Sequence, residues 1–409
     1  MQIDATHWQT YGEQISRLLD WNKGRARGPI HIEFYPTNRC NIQCRICWQR
    51  QDNYDKTYAT EMSDERCLRL VDEAAELGVD WWTIKGGGEP MARGKLVMEM
   101  IRRIRSHGMN GLLQSNATLL KPAQIEELVA LGWHRVVVSL DGPTEEINDE
   151  IRSAGFAKAC ANMKLLSEAK ARAGASLPQL EMNTVVTNRI VDRLDEVFHL
   201  AHAHGVERVY FSGLIRFTEN CDPFLVDEAS MARLRAHIAE ASALAASLSI
   251  AHNLAELLDP AVWSSPNDRD FGAEYPRPMG VPQSLCFKAY TELVVHPNGF
   301  AGPCCMSYDE RSDSLQDKSL REVWEEGYMR RVRGHFEENR PMSYCAQCPT
   351  SLYRDNVIQR AMLAEAHPPI GRRFQRAVSK GVDGLRTNGV GWTLRHGAQW
   401  VRNTWRIYR

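Results

Sequence analysis

The sequence predicts an α/β fold: a partial (β/α)6 TIM-like barrel followed by a small α+β domain. Three observations carry that prediction. Six short β-type runs alternate with helical patterns through the first half of the chain. Four of the helical patterns stop at a glycine. A compact cysteine-bearing region then follows a stretch rich in Pro, Gly and Asp. Six β-then-α units imply a parallel sheet. They are too few for a full eight-unit barrel, so one side should stay open.

The strands are expected at residues 31–35, 82–85, 111–115, 135–140, 180–187 and 208–212, and helices at 63–77, 96–107, 122–131, 156–173 and 193–204. Gly78, Gly108, Gly132 and Gly205 follow four of these helices, as left-handed C-caps do. The resulting organisation is an N-terminal extension (1–28), the barrel (29–218), a helical connector and linker (219–283), the cysteine-bearing domain (284–353) and a basic tail (354–409).

At 409 residues, 43% hydrophobic and 25% charged, the composition is that of a globular protein. No apolar run approaches a membrane span. The first 20 residues lack an apolar signal core, so a cytoplasmic location is expected. In that compartment 11 cysteines point to metal binding rather than disulfides. The net charge of −1 is uneven: beyond residue 366 nine basic residues face only Asp383. The tail carries a stripe of Leu394, Ala398, Val401, Trp405 and Tyr408, flanked by Arg395, Arg402, Arg406 and Arg409. That pattern suits an anionic membrane surface, the alternative being a helix docked on the barrel. No nucleic-acid partner is expected.

The chemistry begins at Cys40-x3-Cys44-x2-Cys47, just after the first strand, where parallel sheets place their sites. Three thiolates on one loop can hold three irons of a cubic [4Fe–4S] cluster, leaving the fourth iron open to a small molecule, whereas most clusters take four cysteines. Zinc also takes four ligands and favours Cys-x2-Cys pairs, which fits this triad poorly. Lys85-Gly86-Gly87-Gly88-Glu89-Pro90 follows the second strand. Its glycines allow close backbone approach to a ligand, and Glu89 can accept from an ammonium group. Ser115-Asn116 and Ser139-Leu140-Asp141 end the third and fourth strands, and Arg152 lies downstream. A guanidinium fork suits a carboxylate.

The triad spacing, with Gly-Gly-Glu-Pro one β-α unit later, resembles the radical S-adenosylmethionine (SAM) superfamily. The resemblance implies that the open iron binds the amino and carboxylate groups of SAM, which one electron splits into methionine and a 5′-deoxyadenosyl radical. It implies SAM contacts at Gly87, Gly88, Glu89, Ser115, Asn116, Ser139, Asp141 and Arg152. One departure is Ile46 before the third cysteine, where the family usually has an aromatic residue; Trp48 follows instead.

A second set comprises Cys286, Cys304-Cys305 and Cys345-x2-Cys348, with a strand–turn–strand pattern around Pro297-Asn298-Gly299 and a helix holding Leu320 and Trp324. In isolation the set would also fit a zinc ribbon. Behind the barrel, it resembles the SPASM/twitch auxiliary-cluster domain of radical SAM enzymes. The full SPASM form needs more cysteines than this region offers, so the single-cluster twitch form, similar to that of an aminocyclitol dehydrogenase, fits better. The resemblance implies an auxiliary [4Fe–4S] cluster on Cys286, Cys304, Cys345 and Cys348. Cys305 is ambiguous, because adjacent cysteines rarely reach one cluster.

An auxiliary cluster fully ligated by cysteine can accept an electron. The favoured reading is therefore oxidation of a carbohydrate or cyclitol alcohol, a small-molecule substrate, with a flavodoxin- or ferredoxin-type electron donor. Peptide maturation is the alternative, weighed down because about 28 residues precede the first strand, where such enzymes often carry a peptide-binding winged helix. Radical epimerisation is a third reading and needs a thiol hydrogen donor, for which Cys221 is the candidate. Lys85, Asn183 and Arg216 are candidates for the substrate cavity, and Cys67 and Cys160 are expected to be core thiols.

Overall fold

A computed structural model describes residues 5–25, 27–50, 60–259, 262–263, 284–307, 312–348 and 350–366. The expected linker at 264–282 and the tail beyond 366, with the stripe expected to suit a membrane surface, lie outside these residues.

The chain runs α1 (Ala5–Asn22), β1 (His31–Phe34), α2 (Asp64–Glu76), β2 (Trp81–Ile84), α3 (Gly94–Ser106), β3 (Asn110–Ser115), α4 (Pro122–Ala130), β4 (Arg135–Ser139), α5 (Glu145–Arg152), α6 (Phe156–Ala173), β5 (Gln179–Val186), α7 (Leu194–Ala203), β6 (Arg208–Gly213), α8 (Glu228–Ser247) and β7 (Ala251–His252). The C-terminal part adds α9 (Lys288–Thr291), β8 (Glu292–Val295), β9 (Ala301–Gly302), α10 (Leu320–Glu325), α11 (Gly327–Glu337) and α12 (Thr350–Ala366). All six predicted strands form, and the glycines at 78, 108, 132 and 205 all adopt positive φ. Helix starts follow local chemistry as well: the Ser63 hydroxyl accepts from the Arg66 N–H at the head of α2.

One sheet orders its strands β7-β6-β5-β4-β3-β2-β1-β8-β9. Every pairing from β7 to β8 is parallel, and β9 closes the edge antiparallel to β8. The mostly parallel, helix-covered arc is the partial barrel expected from the sequence. What periodicity did not reveal is that β8, from the cysteine-bearing region, pairs directly with β1: Phe34 lies between Ile84 on one side and Val295 on the other. A pairing between residues some 260 positions apart leaves no local signal in the sequence. The pleat alternates along β3, where Gly111, Leu113 and Ser115 are buried and Leu112 and Gln114 less so.

The apolar faces of the helices meet the sheet in one continuous core containing Trp82, Trp133, Phe198 and Phe211; Cys67 and Cys160 are buried in it. The N-terminal extension is a helix with a structural role. Trp21 of α1 packs edge-on against Tyr290 and Trp324, and Arg333 lies over the rings of both Trp21 and Trp324, at 4.9 and 5.1 Å. Tyr11 donates to Asp355 at 2.7 Å. α1 thus fastens α9, α10, α11 and α12 together.

Candidate active site

The C-terminal ends of the strands open into a cavity of about 540 Å³. Cys40, Cys44, Cys47, Gly87, Gly88, Glu89, Ser115, Asn116, Ser139, Asp141 and Arg152 all line it, together with Lys85, Gln114, Asn183, Val185 and Phe217. These come from the cysteine loop, the segments at or after the ends of β2 to β6, and the end of α5, so the fold brings the sequence-predicted residues into one space.

The cysteine loop is held from several sides. The Arg45 N–H donates to Ile151 O, and the Gln43 N–H to Ser153 Oγ, each at 2.8 Å. Ser153 itself sits in the left-handed region, φ +71°, just past α5, a conformation that costs a non-glycine residue energy and marks a constrained site. Arg50 donates to Gln43 O and Cys44 O, at 2.6 and 3.0 Å. Sequence reading missed Ser153 and Arg50, because both act on the loop's backbone and belong to no motif.

The Gly-rich segment is docked on the same loop. Gly88 N–H donates to Thr37 O at 2.9 Å and Glu89 N–H to Arg39 O at 2.8 Å. Glu89 is 2% exposed. Its Oε1 accepts from Ser115 Oγ (2.6 Å) and Met91 N–H (3.0 Å), and its Oε2 from Asn116 N–H (2.8 Å). Of the roughly four acceptor positions of a carboxylate, one remains, on Oε2. Burial raises this carboxyl above its ordinary range despite those donors. Asn116 lines the cavity; one Nδ2 donor goes to Asn41 at 3.1 Å and Oδ1 accepts from both donors of Thr118, which leaves the second Nδ2 hydrogen for a ligand. It ties the cysteine loop to β3.

Asp141 is fully buried. Its Oδ1 accepts from Val185 N–H (2.9 Å) and its Oδ2 from Arg152 Nη1 (2.6 Å). Asp141 therefore aims Arg152, and among the described residues Nε and Nη2 of that fork have no protein partner. Burial opposes the Arg152 charge, but Asp141 and the nearby Cys44 raise its pKa overall. Burial also raises all three triad thiols, Cys44 to about 11.

The cavity floor is polar. Lys85 Nζ lies 3.0 Å from Glu33 Oε2. Burial alone would raise Glu33, but Lys85 holds it below the usual range. Gln114 donates to Ser139 Oγ at 3.3 Å. Two predicted residues are not brought here. Arg216 is exposed and bidentate to Asp222, at 2.6 and 3.0 Å. Cys221 is fully buried in a short 3-10 turn, its thiol directed at Ile215 O, 3.9 Å away. A hydrogen donor must face the substrate, and Cys221 is not among the residues that line this cavity.

A second cavity is lined by Cys286, Cys304, Cys345 and Cys348, with Met306, Phe336, Tyr344 and Asn356 among its walls. Burial raises the thiols of Cys286, Cys304 and Cys345 too, Cys345 to about 12. Cys305 does not line this cavity and instead feels Glu33, Lys85 and Lys288. Among the described residues no three His, Cys, Asp or Glu side chains converge on a single-ion site. Each thiol set lines one cavity, where it could hold an iron–sulfur cluster.

Comparison with known proteins agrees with this geometry. A family model described as "Radical SAM superfamily" matches residues 34–177, and one described as an iron-sulfur cluster-binding domain, SPASM, matches 286–349. The chain is 30% identical to the PqqA peptide cyclase of Ruegeria pomeroyi over 316 residues, 73% of this chain and 74% of the relative. It is 28% identical to the mycofactocin maturase MftC of Mycolicibacterium smegmatis over 47% of each chain. Among solved structures, Streptococcus suis SuiB bound to S-adenosylmethionine superposes with a TM-score of 0.58 at 15% identity, covering 85% of this chain and 78% of that one. The chain belongs to the radical SAM superfamily and carries a SPASM domain. Its cofactors follow: a [4Fe–4S] cluster that binds S-adenosylmethionine, and auxiliary iron–sulfur ligation in the C-terminal domain.

Proposed function

We propose that the chain is a peptide-modifying radical SAM enzyme, which removes a hydrogen atom from a residue of a substrate peptide to start a crosslink or ring closure. The observation that supports this is the 30% identity to PqqA peptide cyclase, over a length too great to fall within the radical SAM match alone. The sequence favoured oxidation of a carbohydrate or cyclitol alcohol. The relative matched over most of both chains is named a peptide cyclase instead, so the peptide reading takes precedence.

In this reading residues 29–218 cleave SAM, 219–283 connect, and 284–353 handle the second electron. Cys40, Cys44 and Cys47 hold the first cluster; Cys286, Cys304, Cys345 and Cys348 hold an auxiliary [4Fe–4S] cluster. When bound, the first cluster supplies the electron that splits SAM. The unpaired edge of Arg152 takes the SAM carboxylate. The remaining Oε2 acceptor of Glu89 and the backbone at Gly87 and Gly88 take its ammonium, and Ser139 lies within reach of a ribose. Lys85, Gln114 and Asn183 form the polar floor that receives the substrate side chain. A flavodoxin- or ferredoxin-type protein supplies the electrons.

The test is isotopic. Anaerobically reconstituted protein is given SAM, dithionite and either synthetic peptides deuterated on their side chains or deuterated cyclitols and hexoses. Deuterium should enter 5′-deoxyadenosine from a peptide. Transfer from a cyclitol or hexose and from none of the peptides would reinstate alcohol oxidation.

A further inference from the structure

The SPASM match ends at residue 349, and α12 begins at Thr350. Yet Asn356, Val357 and Arg360 of α12 line the four-thiol cavity. Arg360 lies 4.9 Å over the Phe287 ring and donates to Leu285 O at 2.7 Å. The helix is thereby fixed against the segment that carries Cys286.

Asn356 is 8% exposed, and its amide has a determined sense. Phe287 N–H donates to Oδ1 at 2.8 Å, which requires the oxygen on that side. The Nδ2 donor is then aimed at Cys286 Sγ, 3.4 Å away. Lys288 also lines this cavity, but its ammonium is matched by Glu292 at 2.6 Å. Asn356 therefore presents a donor to a ligand sulfur with no opposing charge of its own.

We propose that Asn356 is a positioning residue that sets the reduction potential of the auxiliary cluster through its N–H···S bond to Cys286. A donor to a ligand sulfur favours the more negative, reduced cluster and so raises its potential. The helix that follows the recognised domain is then a working wall of the cluster site. The inference rests on the assignment of Cys286, Cys304, Cys345 and Cys348 as ligands.

The test uses a full-length parent in which Cys40, Cys44 and Cys47 are all alanine, so that only the auxiliary cluster contributes. Iron content is measured first; a parent without iron sinks the ligand assignment itself. The potential is then followed by electron paramagnetic resonance during a redox titration. Asn356→Asp keeps the acceptor for Phe287 N–H and removes the donor to sulfur. Asn356→Ala removes both. At the potential that half-reduces the parent, either variant should show a reduced-to-oxidised ratio about tenfold lower, a shift of about 59 mV for a one-electron couple. An iron-loaded Asn356→Ala cluster with the parental potential overturns the proposal, since Asn356→Asp also adds a negative charge that lowers the potential by itself. Failure of both variants to assemble a cluster also overturns it, because the side chain would then build the site rather than tune it.

Discussion

Gly88→Ala is the smallest perturbation that the site should not tolerate. A Cβ at this position would fall 2.1 Å from Arg39 O, 2.5 Å from Arg39 C and 2.6 Å from Asn38 C, all backbone atoms of the loop that leads into Cys40. No side chain can turn aside to relieve that clash. Ordinary contact begins at 3.4 Å, so the Gly-rich segment and the cysteine loop must part by about 1.3 Å. That separation stretches both bonds that join them, Gly88 N–H to Thr37 O and Glu89 N–H to Arg39 O. Two such bonds at about 0.5–1.5 kcal/mol each, with about 1–3 kcal/mol for overpacking, place the cost at about 2–6 kcal/mol. A misplacement of about 1 Å near reacting groups also costs about 100-fold in rate. Urea unfolding of the iron-free chain measures the first quantity. Release of 5′-deoxyadenosine from SAM by the reconstituted, dithionite-reduced protein measures the second. Gly12→Ala is the control: it lies inside α1 with nothing among the described residues outside its own helix turn within 4 Å of the new methyl, and should stabilise by up to about 1 kcal/mol. A Gly88→Ala protein with parental stability and parental cleavage would refute the docking of these two segments as the basis of the site.

Arg152→Met should leave the fully buried Asp141 without its cation and cost about 3–5 kcal/mol in urea melts; a loss below about 1 kcal/mol would show that Asp141 does not depend on Arg152. Cys304→Ala should remove the auxiliary iron whereas Cys305→Ala should retain it, because only Cys304 lines the four-thiol cavity; equal iron loss in both would return Cys305 to the ligand set. Burial holds Cys44, Cys67 and Cys160 near about 11, against 9.0 for an ordinary thiol. Their folded pKa is raised, so the stability of the metal-free chain should be intact below about pH 9 and decline toward about pH 11 as the unfolded thiols ionise first; urea midpoints that stay flat across that window would contradict the burial.

The parts of the site legible in the sequence were those written in contiguous residues at strand ends. The triad, the Gly-Gly-Gly-Glu-Pro run, Ser139, Asp141 and Arg152 each follow a strand or the helix after it, and the parallel sheet places such positions on one rim. What contiguous residues do not encode is who bonds whom across the rim. Asn116 sits at the end of β3 as expected, but its bonds to Asn41 and Thr118, which tie the cysteine loop to that strand, have no local signal. Cys221 lies just past a strand like the residues that do reach the cavity, but its turn rotates the thiol into the core. The pairing of β8 with β1 brings Lys288 and Glu292 near Glu33 and Lys85. No local pattern announces that contact, and the same holds for Asn356, which meets Cys286 from 70 residues away.

On the proposed reading two thiol sets hold two separate clusters, and only the first has an iron open to S-adenosylmethionine. Iron content and Mössbauer spectra, recorded with and without SAM, test it most directly on three proteins: the parent, the Cys40/Cys44/Cys47 triple alanine variant and the Cys286/Cys304/Cys345/Cys348 quadruple alanine variant. The parent should hold about eight irons and each variant about four, with SAM altering one iron site in the parent and the quadruple variant and none in the triple variant. A SAM-dependent change that survives loss of the triad, or a parent whose iron is unaffected by either set of substitutions, would contradict the account.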